Sequence, residues 1–175
     1  KNVFIDDDKN FFFIMEDNTF FFYDVDKESL STITDGNDKF VEKHGIPREI
    51  AQYKNLRWIV YSSGLIRCWD SVSHKFVYQD TSFIGTINEA TDRLYIHITN
   101  DGNLWLMYNK AVLFYNQNEQ KWTEVSTISG HSSFFTCMDL DSKGNVWVGT
   151  SSFDLRFIEK ESFHVDIIKG LRLDN

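Results

Sequence analysis

The sequence predicts an all-β fold: a β-propeller fragment of about four blades, each made of four short antiparallel strands. Three observations predict it. A phrase recurs along the chain, each copy sits between apolar runs and polar turns, and the composition is that of an aromatic-rich β-protein. Gly144-Asn145-Val146-Trp147-Val148-Gly149-Thr150 is the clearest copy. Gly102-Asn103-Leu104-Trp105-Leu106 repeats it, Asn55-Leu56-Arg57-Trp58-Ile59 repeats it loosely, and Asn10-Phe11-Phe12-Phe13 carries Phe12 in the Trp slot. The copies recur at steps of about 42 to 47 residues, the self-similarity expected of a propeller or another repeat array.

Each copy has the same parts in the same order. An apolar run comes first: Val3-Phe4-Ile5 in the first copy, Tyr95-Ile96-His97-Ile98 in the third and Phe134-Phe135-Thr136-Cys137-Met138 in the fourth. A polar turn follows, Asp6-Asp7-Asp8-Lys9-Asn10, Asn100-Asp101-Gly102-Asn103 or Asp141-Ser142-Lys143-Gly144-Asn145. Asp and Asn bond their own backbone in such turns and Gly supplies positive φ, so the run, turn and Trp strand read as a hairpin. A third strand ends near an aromatic, as in Phe20-Phe21-Phe22-Tyr23-Asp24, Trp69-Asp70, Phe114-Tyr115-Asn116 and Phe157-Ile158-Glu159. A fourth closes the unit: Leu30-Ser31-Thr32-Ile33, Phe76-Val77-Tyr78, Lys121-Trp122-Thr123-Glu124-Val125 and Ser162-Phe163-His164-Val165. Four such strands make one propeller blade. The blades are expected over roughly residues 1–36, 46–80, 92–127 and 132–168.

Stacked blades need a large side chain at a fixed place to fill the gap between them. Phe12, Trp58, Trp105 and Trp147 are expected to do this as the structural core of the repeat rather than as sugar platforms, at about 2–3 kcal/mol of burial each. Aromatics make up 16% of the chain and there is one proline, Pro47, which suits a packed β-protein and excludes disorder. A net charge of −8 without a basic patch argues against nucleic acid and against direct contact with anionic membranes. No apolar run approaches the length of a membrane span. Without an initiator Met or signal peptide the chain reads as a segment excised from a larger multi-domain protein. Cys68 and Cys137 fall in strands of non-adjacent blades and read as small buried hydrophobes.

The string from Met138 to Ser152, MDLDSKGNVWVGTSS, resembles the regulator-propeller repeat of the sensor regions of bacterial hybrid two-component systems, abundant in gut Bacteroidetes. Asn103-Leu104-Trp105-Leu106 and Ser62-Ser63-Gly64-Leu65 match its middle section, and Gly45-Ile46-Pro47 and Gly170-Leu171 resemble its lead into the next blade. Phe153-Asp154-Leu155 stands where that repeat usually has Gly-Leu, and the first copy lacks the Trp. The resemblance implies a periplasmic sensor region of an inner-membrane histidine kinase, with propellers of about seven blades outside the membrane. A β-sandwich domain and membrane helix would follow, with kinase, receiver and DNA-binding parts inside. It also implies oligosaccharide as the ligand class, and partners in the remaining blades and sensor domains of the parent.

Catalytic signatures are absent. His44, His74, His97, His131 and His164 have no zinc-like spacing, and there is no Cys-x-x-Cys. Asp6-Asp7-Asp8 lacks the Gly and Glu of a calcium loop and reads as a solvated turn. There is no phosphate loop, nucleophile elbow or dinucleotide fingerprint, and Glu16-Asp17 has no partner carboxylate placed by the sequence. No metal, cofactor or catalytic residue is therefore expected, and binding is the better class. The loops between second and third strands include Glu16-Asp17-Asn18, Ser62-Ser63, Asn109-Lys110 and Ser151-Ser152-Phe153-Asp154; those between blades include residues 35–39 and 129–133. Sugar recognition wants an aromatic face beside polar groups, and Asn109, Lys110, His131, Phe153 and Asp154 are of that kind. Two other readings stay open: a protein-interaction propeller scaffold without a small ligand, and a propeller enzyme like the streptogramin lyases, which use His, acidic residues and magnesium. End blades would expose apolar faces and strand edges, so a homodimer is expected.

Overall fold

The computed structural model describes residues 3–15, 19–33, 45–88, 91–130 and 132–169. They form two compact units, Lys1–Thr91 and Asp92–Asn175. Each unit holds two four-stranded antiparallel sheets, and in every sheet the strands lie side by side in chain order. The first unit has β1 (Val3–Ile5), β2 (Phe11–Ile14), β3 (Phe20–Asp24) and β4 (Ser29–Thr32), then β5 (Pro47–Tyr53), β6 (Leu56–Tyr61), β7 (Ile66–Asp70) and β8 (Lys75–Asp80). The second has β9 (Tyr95–Ile98), β10 (Leu104–Tyr108), β11 (Ala111–Asn116) and β12 (Lys121–Thr127), then β13 (Phe135–Leu140), β14 (Val146–Thr150), β15 (Leu155–Ile158) and β16 (Val165–Ile168). The fold is all-β, with four blades of four strands. Among the described residues no helix is long and apolar enough to cross a membrane.

The asparagine of the recurring phrase ties together the two turns at one end of a blade. Asp6 Oδ1 accepts from the Asn10 amide at 2.8 Å, Asn10 Nδ2 returns a bond to Asp6 Oδ2, and Asn10 Oδ1 accepts from the Val25 amide at 3.0 Å. Asp141 and Asn145 repeat this, with Asn145 Oδ1 accepting from the Lys160 amide at 3.1 Å. Asn103 Oδ1 takes the Gln117 amide at 2.9 Å. The asparagine carries its donor and its acceptor on separate atoms, which ionised Asp, an acceptor only, and Ser, with a single oxygen, do not offer. The turn between third and fourth strands ends on a left-handed residue in each blade: Glu28, His74, Gln120 and Phe163, with φ of 48–56°. In two blades that residue is an aromatic ring folded back onto the preceding blade. His74 lies against Trp69 and Phe22, and Phe163 against Trp105 and Phe114.

Within the first unit Phe12, Phe20, Phe22 and Ile33 of the first blade pack on Ile59, Tyr61, Leu65 and Trp69 of the second. The turn end of this contact is closed by charge. Arg57 Nε and Nη2 both reach Asp6 Oδ2 at 2.8 Å, Nη2 reaches Asp8 at 3.1 Å, and Nη1 donates to the Lys54 carbonyl at 2.6 Å. Asp6 and Arg57 are buried, so Asp6 is an interior ion-pair partner and the solvated turn expected from Asp6-Asp7-Asp8 is corrected there; Asp7 and Asp8 remain at the surface. Within the second unit Trp105, Met107, Val112 and Phe114 pack on Phe135, Met138, Val146, Val148 and Ile158. Its turn-end link is the lighter Lys160–Asp101 pair, 2.7 Å, at the surface.

Phe12, Trp58 and Trp105 are buried, whereas Trp147 is 36% exposed. Trp147 lies tilted against Phe157, ring centroids 4.8 Å apart, on the face of its sheet opposite the one that packs on Trp105. The fourth strand of the last blade starts later than expected, at Val165. A longer turn carries Phe163 inward to Trp105 before the strand begins, with the Phe163 amide bonded to the Glu159 carbonyl and the Glu159 amide to that of His164. Both cysteines are free thiols. Cys68 is buried and its thiol is pushed up to about 12 by desolvation, with Asp70 adding to the effect. Cys137 is exposed, against expectation; it pairs with Gly149 on the Trp147 side of the sheet, beside a register slip between Phe135 and Cys137.

Candidate functional site

The loop end of the blades is built on a two-bond serine clasp. In the second blade the Ser62 amide donates to the Ile46 carbonyl at 2.8 Å, and the Ile46 amide donates to Ser62 Oγ at 3.2 Å. In the fourth blade the Ser151 amide donates to the Phe134 carbonyl at 2.9 Å, and the Phe134 amide donates to Ser151 Oγ at 3.0 Å. The serine thus locks the turn between second and third strands onto the segment that enters the blade. A hydroxyl suits this because it accepts from one amide without competing for the other. Both turns then close alike, Tyr61 N to Leu65 O and Gly64 N to Tyr61 O in one, Thr150 N to Asp154 O and Phe153 N to Thr150 O in the other.

Gly64 and Phe153 therefore hold the same place. Both are left-handed, with φ of 90° at Gly64 and 63° at Phe153. A Cβ on Gly64 would meet the Phe83 carbonyl oxygen at 2.2 Å, so only glycine fits. Phe153 carries a whole ring there and leaves it 73% exposed. Left-handed backbone costs a bulky residue about 1–2 kcal/mol relative to glycine, which the exposed ring does not repay by burial.

In the second unit three segments meet at this end. Lys110, in the turn between β10 and β11, donates to the Gly130 carbonyl at 2.7 Å and the Ser133 carbonyl at 2.6 Å. Asn109 accepts from the Phe135 amide through its carbonyl and from the Arg93 amide through Oδ1. Ser133 and Ser152 share a hydroxyl–hydroxyl bond of 2.8 Å. Arg156 lies 5.0 Å over the Phe135 ring and donates to Ser126 Oγ and the Thr127 carbonyl. Burial lowers its basicity and the nearby Asp154 charge works against that. Tyr108, next to Asn109, has its phenol raised by burial and by the Glu124 and Asp92 charges.

The five residues expected to bind ligand separate on this surface. Asn109, Lys110, Phe153 and Asp154 fall on the loops that the Lys110, Ser133 and Ser152 bonds draw together, and His131 lies outside the described residues. Asn109 and Lys110 spend polar groups on holding loops, and Asp154 enters its turn through backbone bonds to Thr150. Phe153 is the most exposed of the four, at 73%, while Asn109, Lys110 and Asp154 are partly buried. The loops at Glu16-Asp17-Asn18 and residues 35–39 and the histidine His44 also lie outside the described residues. Ser133, Ser151, Ser152 and Arg93 were not singled out. Serine pairs at the same place in two blades, Ser62-Ser63 and Ser151-Ser152, were the signal available for the clasp. Among the described residues no group of three or more His, Cys, Asp or Glu is arranged to hold a metal ion.

Comparison with known proteins adds a local family match and a fold. Residues 129–152 match the two component regulator propeller family. No curated protein matches the chain. Two structures of the extracellular domain of BT4673 from B. thetaiotaomicron are similar to it at 17% identity, with TM-scores of 0.66 and 0.69. One of them is assigned to a one component system and the other to a hybrid two component system. The alignments cover 96% and 95% of this chain but only 24% and 23% of those chains, so the chain spans about a quarter of their length. Virginiamycin B lyase from Staphylococcus aureus is similar with a TM-score of 0.64 and 17% identity, over 95% of this chain and 54% of the lyase. The WD40 beta propeller domain of Doa1 gives 0.59 and 14%, over 89% and 48%. At these identities the structures establish the propeller fold, while the sequence match lies on the clasp and loops of the fourth blade. The described residues form four β-propeller blades, and residues 129–152 of the fourth are similar to the two component regulator propeller family.

Proposed function

We propose that this segment belongs to the extracytoplasmic ligand-sensing propeller of a two-component regulator, and that the loop end of its second unit contacts an oligosaccharide. In this reading the segment binds rather than catalyses, and the signal passes to a histidine kinase elsewhere in the parent protein, with the sensor region in the periplasm. The observation that carries it is the regulator-propeller match over residues 129–152, which takes in the segment from Gly130 to Phe134 and the Ser151-Ser152 turn. The exposed Phe153 ring, next in the chain to Ser152 of the Ser133–Ser152 hydroxyl pair, supports the ligand class, because a pyranose offers apolar C–H faces and hydroxyl edges.

Titration of the purified chain with a panel of defined oligosaccharides, by calorimetry and by amide chemical shifts, tests this. The expected result is a binder whose shifts centre on residues 130–134 and 151–154 and whose affinity falls about tenfold in Phe153→Ala, the factor that about 1.4 kcal/mol of ring contact represents. A panel without any binder, or a binder indifferent to Phe153, overturns the reading and favours a protein-interaction scaffold. Magnesium-dependent opening of a cyclic depsipeptide would favour the lyase-like alternative.

A further inference from the structure

The two ends of the second unit treat their cations differently. At the turn end Lys160 meets the Asp101 carboxylate at 2.7 Å, so charge is set against charge. At the loop end the cations are held by neutral oxygens. Lys110 Nζ donates to the Gly130 and Ser133 carbonyls at 2.7 and 2.6 Å, and Arg93 Nη1 donates to the Thr136 carbonyl at 3.3 Å. A carbonyl satisfies a donor but leaves the unit charge in place. An ammonium carries three hydrogens, so the two carbonyls leave Lys110 one to give, and the Arg93 side chain stands at the surface with most of its fork unspent. In a chain of net charge −8, two cations fixed on carbonyls rather than on carboxylates form a local exception.

These cations share one place. The Arg93 amide donates to Asn109 Oδ1 at 3.0 Å, and Lys110 follows Asn109 in the chain. Their side chains end on carbonyls three residues apart, Ser133 and Thr136, at most about 10 Å of extended chain. The same segment supplies the Ser133 hydroxyl that meets Ser152, the residue before the exposed Phe153 ring. Of the acids near this end, the Asp154 charge acts on Arg156, and those of Asp92 and Glu124 act on the Tyr108 phenol. The loop end therefore offers two fixed positive charges with free N–H groups, and an apolar ring tied to the same loops.

We propose that the oligosaccharide contacted here is an acidic one, its carboxylate or sulfate group held by Lys110 and Arg93 while a neighbouring sugar ring lies on Phe153. This names the ligand class of the site and rests on the oligosaccharide reading above. An anionic oxygen accepts the remaining ammonium hydrogen and a guanidinium N–H as charge-assisted bonds, which a neutral hydroxyl makes only weakly.

Calorimetry on the purified chain tests it once matched pairs join the oligosaccharide panel: tetragalacturonate beside its methyl ester, and a sulfated galactan tetrasaccharide beside its desulfated form. An acidic member is expected to bind about tenfold tighter than its neutral partner, an advantage largely lost in 0.5 M salt. Lys110→Gln and Arg93→Gln should each reduce that preference several-fold and leave the affinity for the neutral form nearly unchanged. A purely structural Lys110 would weaken both forms alike and keep their ratio, which contradicts the proposal. Arg93→Gln, at an exposed position, carries the test should Lys110→Gln fail to fold. Equal binding of charged and neutral forms, binding confined to neutral sugars, or a charge preference that survives Arg93→Gln overturns the proposal and leaves the oligosaccharide reading standing. A panel in which no sugar binds, acidic or neutral, overturns both.

Discussion

The second and fourth blades carry the same serine clasp and the same tight turn, and differ at one residue inside it. In the second blade Gly64 is sealed beneath the Phe83 carbonyl, where any side chain would collide. In the fourth, Phe153 takes the same left-handed backbone and sends its ring outward. The turn is held by the same backbone bonds in both blades, and the exposed ring is the part of it that the proposed oligosaccharide contact would use. Lys9, Glu28, Lys54, His74, Gln120 and Phe163 also take positive φ among the described residues, so the exposed ring, rather than the φ alone, sets Phe153 apart.

The sharpest way to break the comparison is Gly64→Ala. The new methyl group meets a backbone oxygen that cannot swing away, and the left-handed φ adds to the cost. A loss of about 2–4 kcal/mol in urea unfolding is expected, with the first unit affected before the second in amide exchange. Gly130→Ala, where a Cβ meets nothing within 4 Å, should cost only about 1 kcal/mol of backbone strain.

A second difference lies just inside each clasp, where the innermost strand slips register: between Pro47 and Glu49 in the second blade, and between Phe135 and Cys137 in the fourth. Burial raises the Glu49 carboxyl to about 7 from 4.5, against the opposing pull of Arg48. The folded state therefore holds this proton more tightly than the unfolded chain. Its contribution to stability is complete below about pH 4.5 and is lost as pH rises towards 7. Glu49→Gln should match wild type at pH 4 and exceed it by about 1–2 kcal/mol at pH 8, after allowance for screening at a half-buried site. Equal stabilities at both pH values would show that Glu49 is solvated.

The clasp itself should be indifferent to which blade holds it. Ser62→Ala and Ser151→Ala each remove one acceptor from a backbone amide and are expected to cost about 1 kcal/mol apiece. A several-fold larger loss at one of them would mean that the turns are not equivalent.

Much of this fold was legible because the repeat is local. The Trp phrase and the Asp/Asn turns pointed to the first hairpin of the first, third and fourth blades, and the third and fourth strands followed from the same period, while β5 was not singled out. What the sequence hid depends on partners far along the chain. Asp6 looks like a surface acid until Arg57, 51 residues on, reaches it. Trp147 matches the other phrase aromatics in sequence, but its burial depends on whether a blade lies against it. The candidate site was half legible. Loop positions gave Asn109, Lys110, Phe153 and Asp154, yet nothing local told that Lys110 spends its ammonium on two carbonyls while Phe153 spends nothing. The Gly-to-Phe departure from the regulator-propeller pattern was visible, and its meaning emerged only with the φ value.

The most direct measurement is therefore Phe153→Gly, followed by urea unfolding and by the same oligosaccharide titration. Relief of the left-handed strain should raise stability by about 0.5–1 kcal/mol, partly offset by the freer unfolded chain, while affinity falls about tenfold. A loss of stability instead would show that the ring serves the fold, and would contradict the account of Phe153 as a contact residue held against the preference of its own backbone.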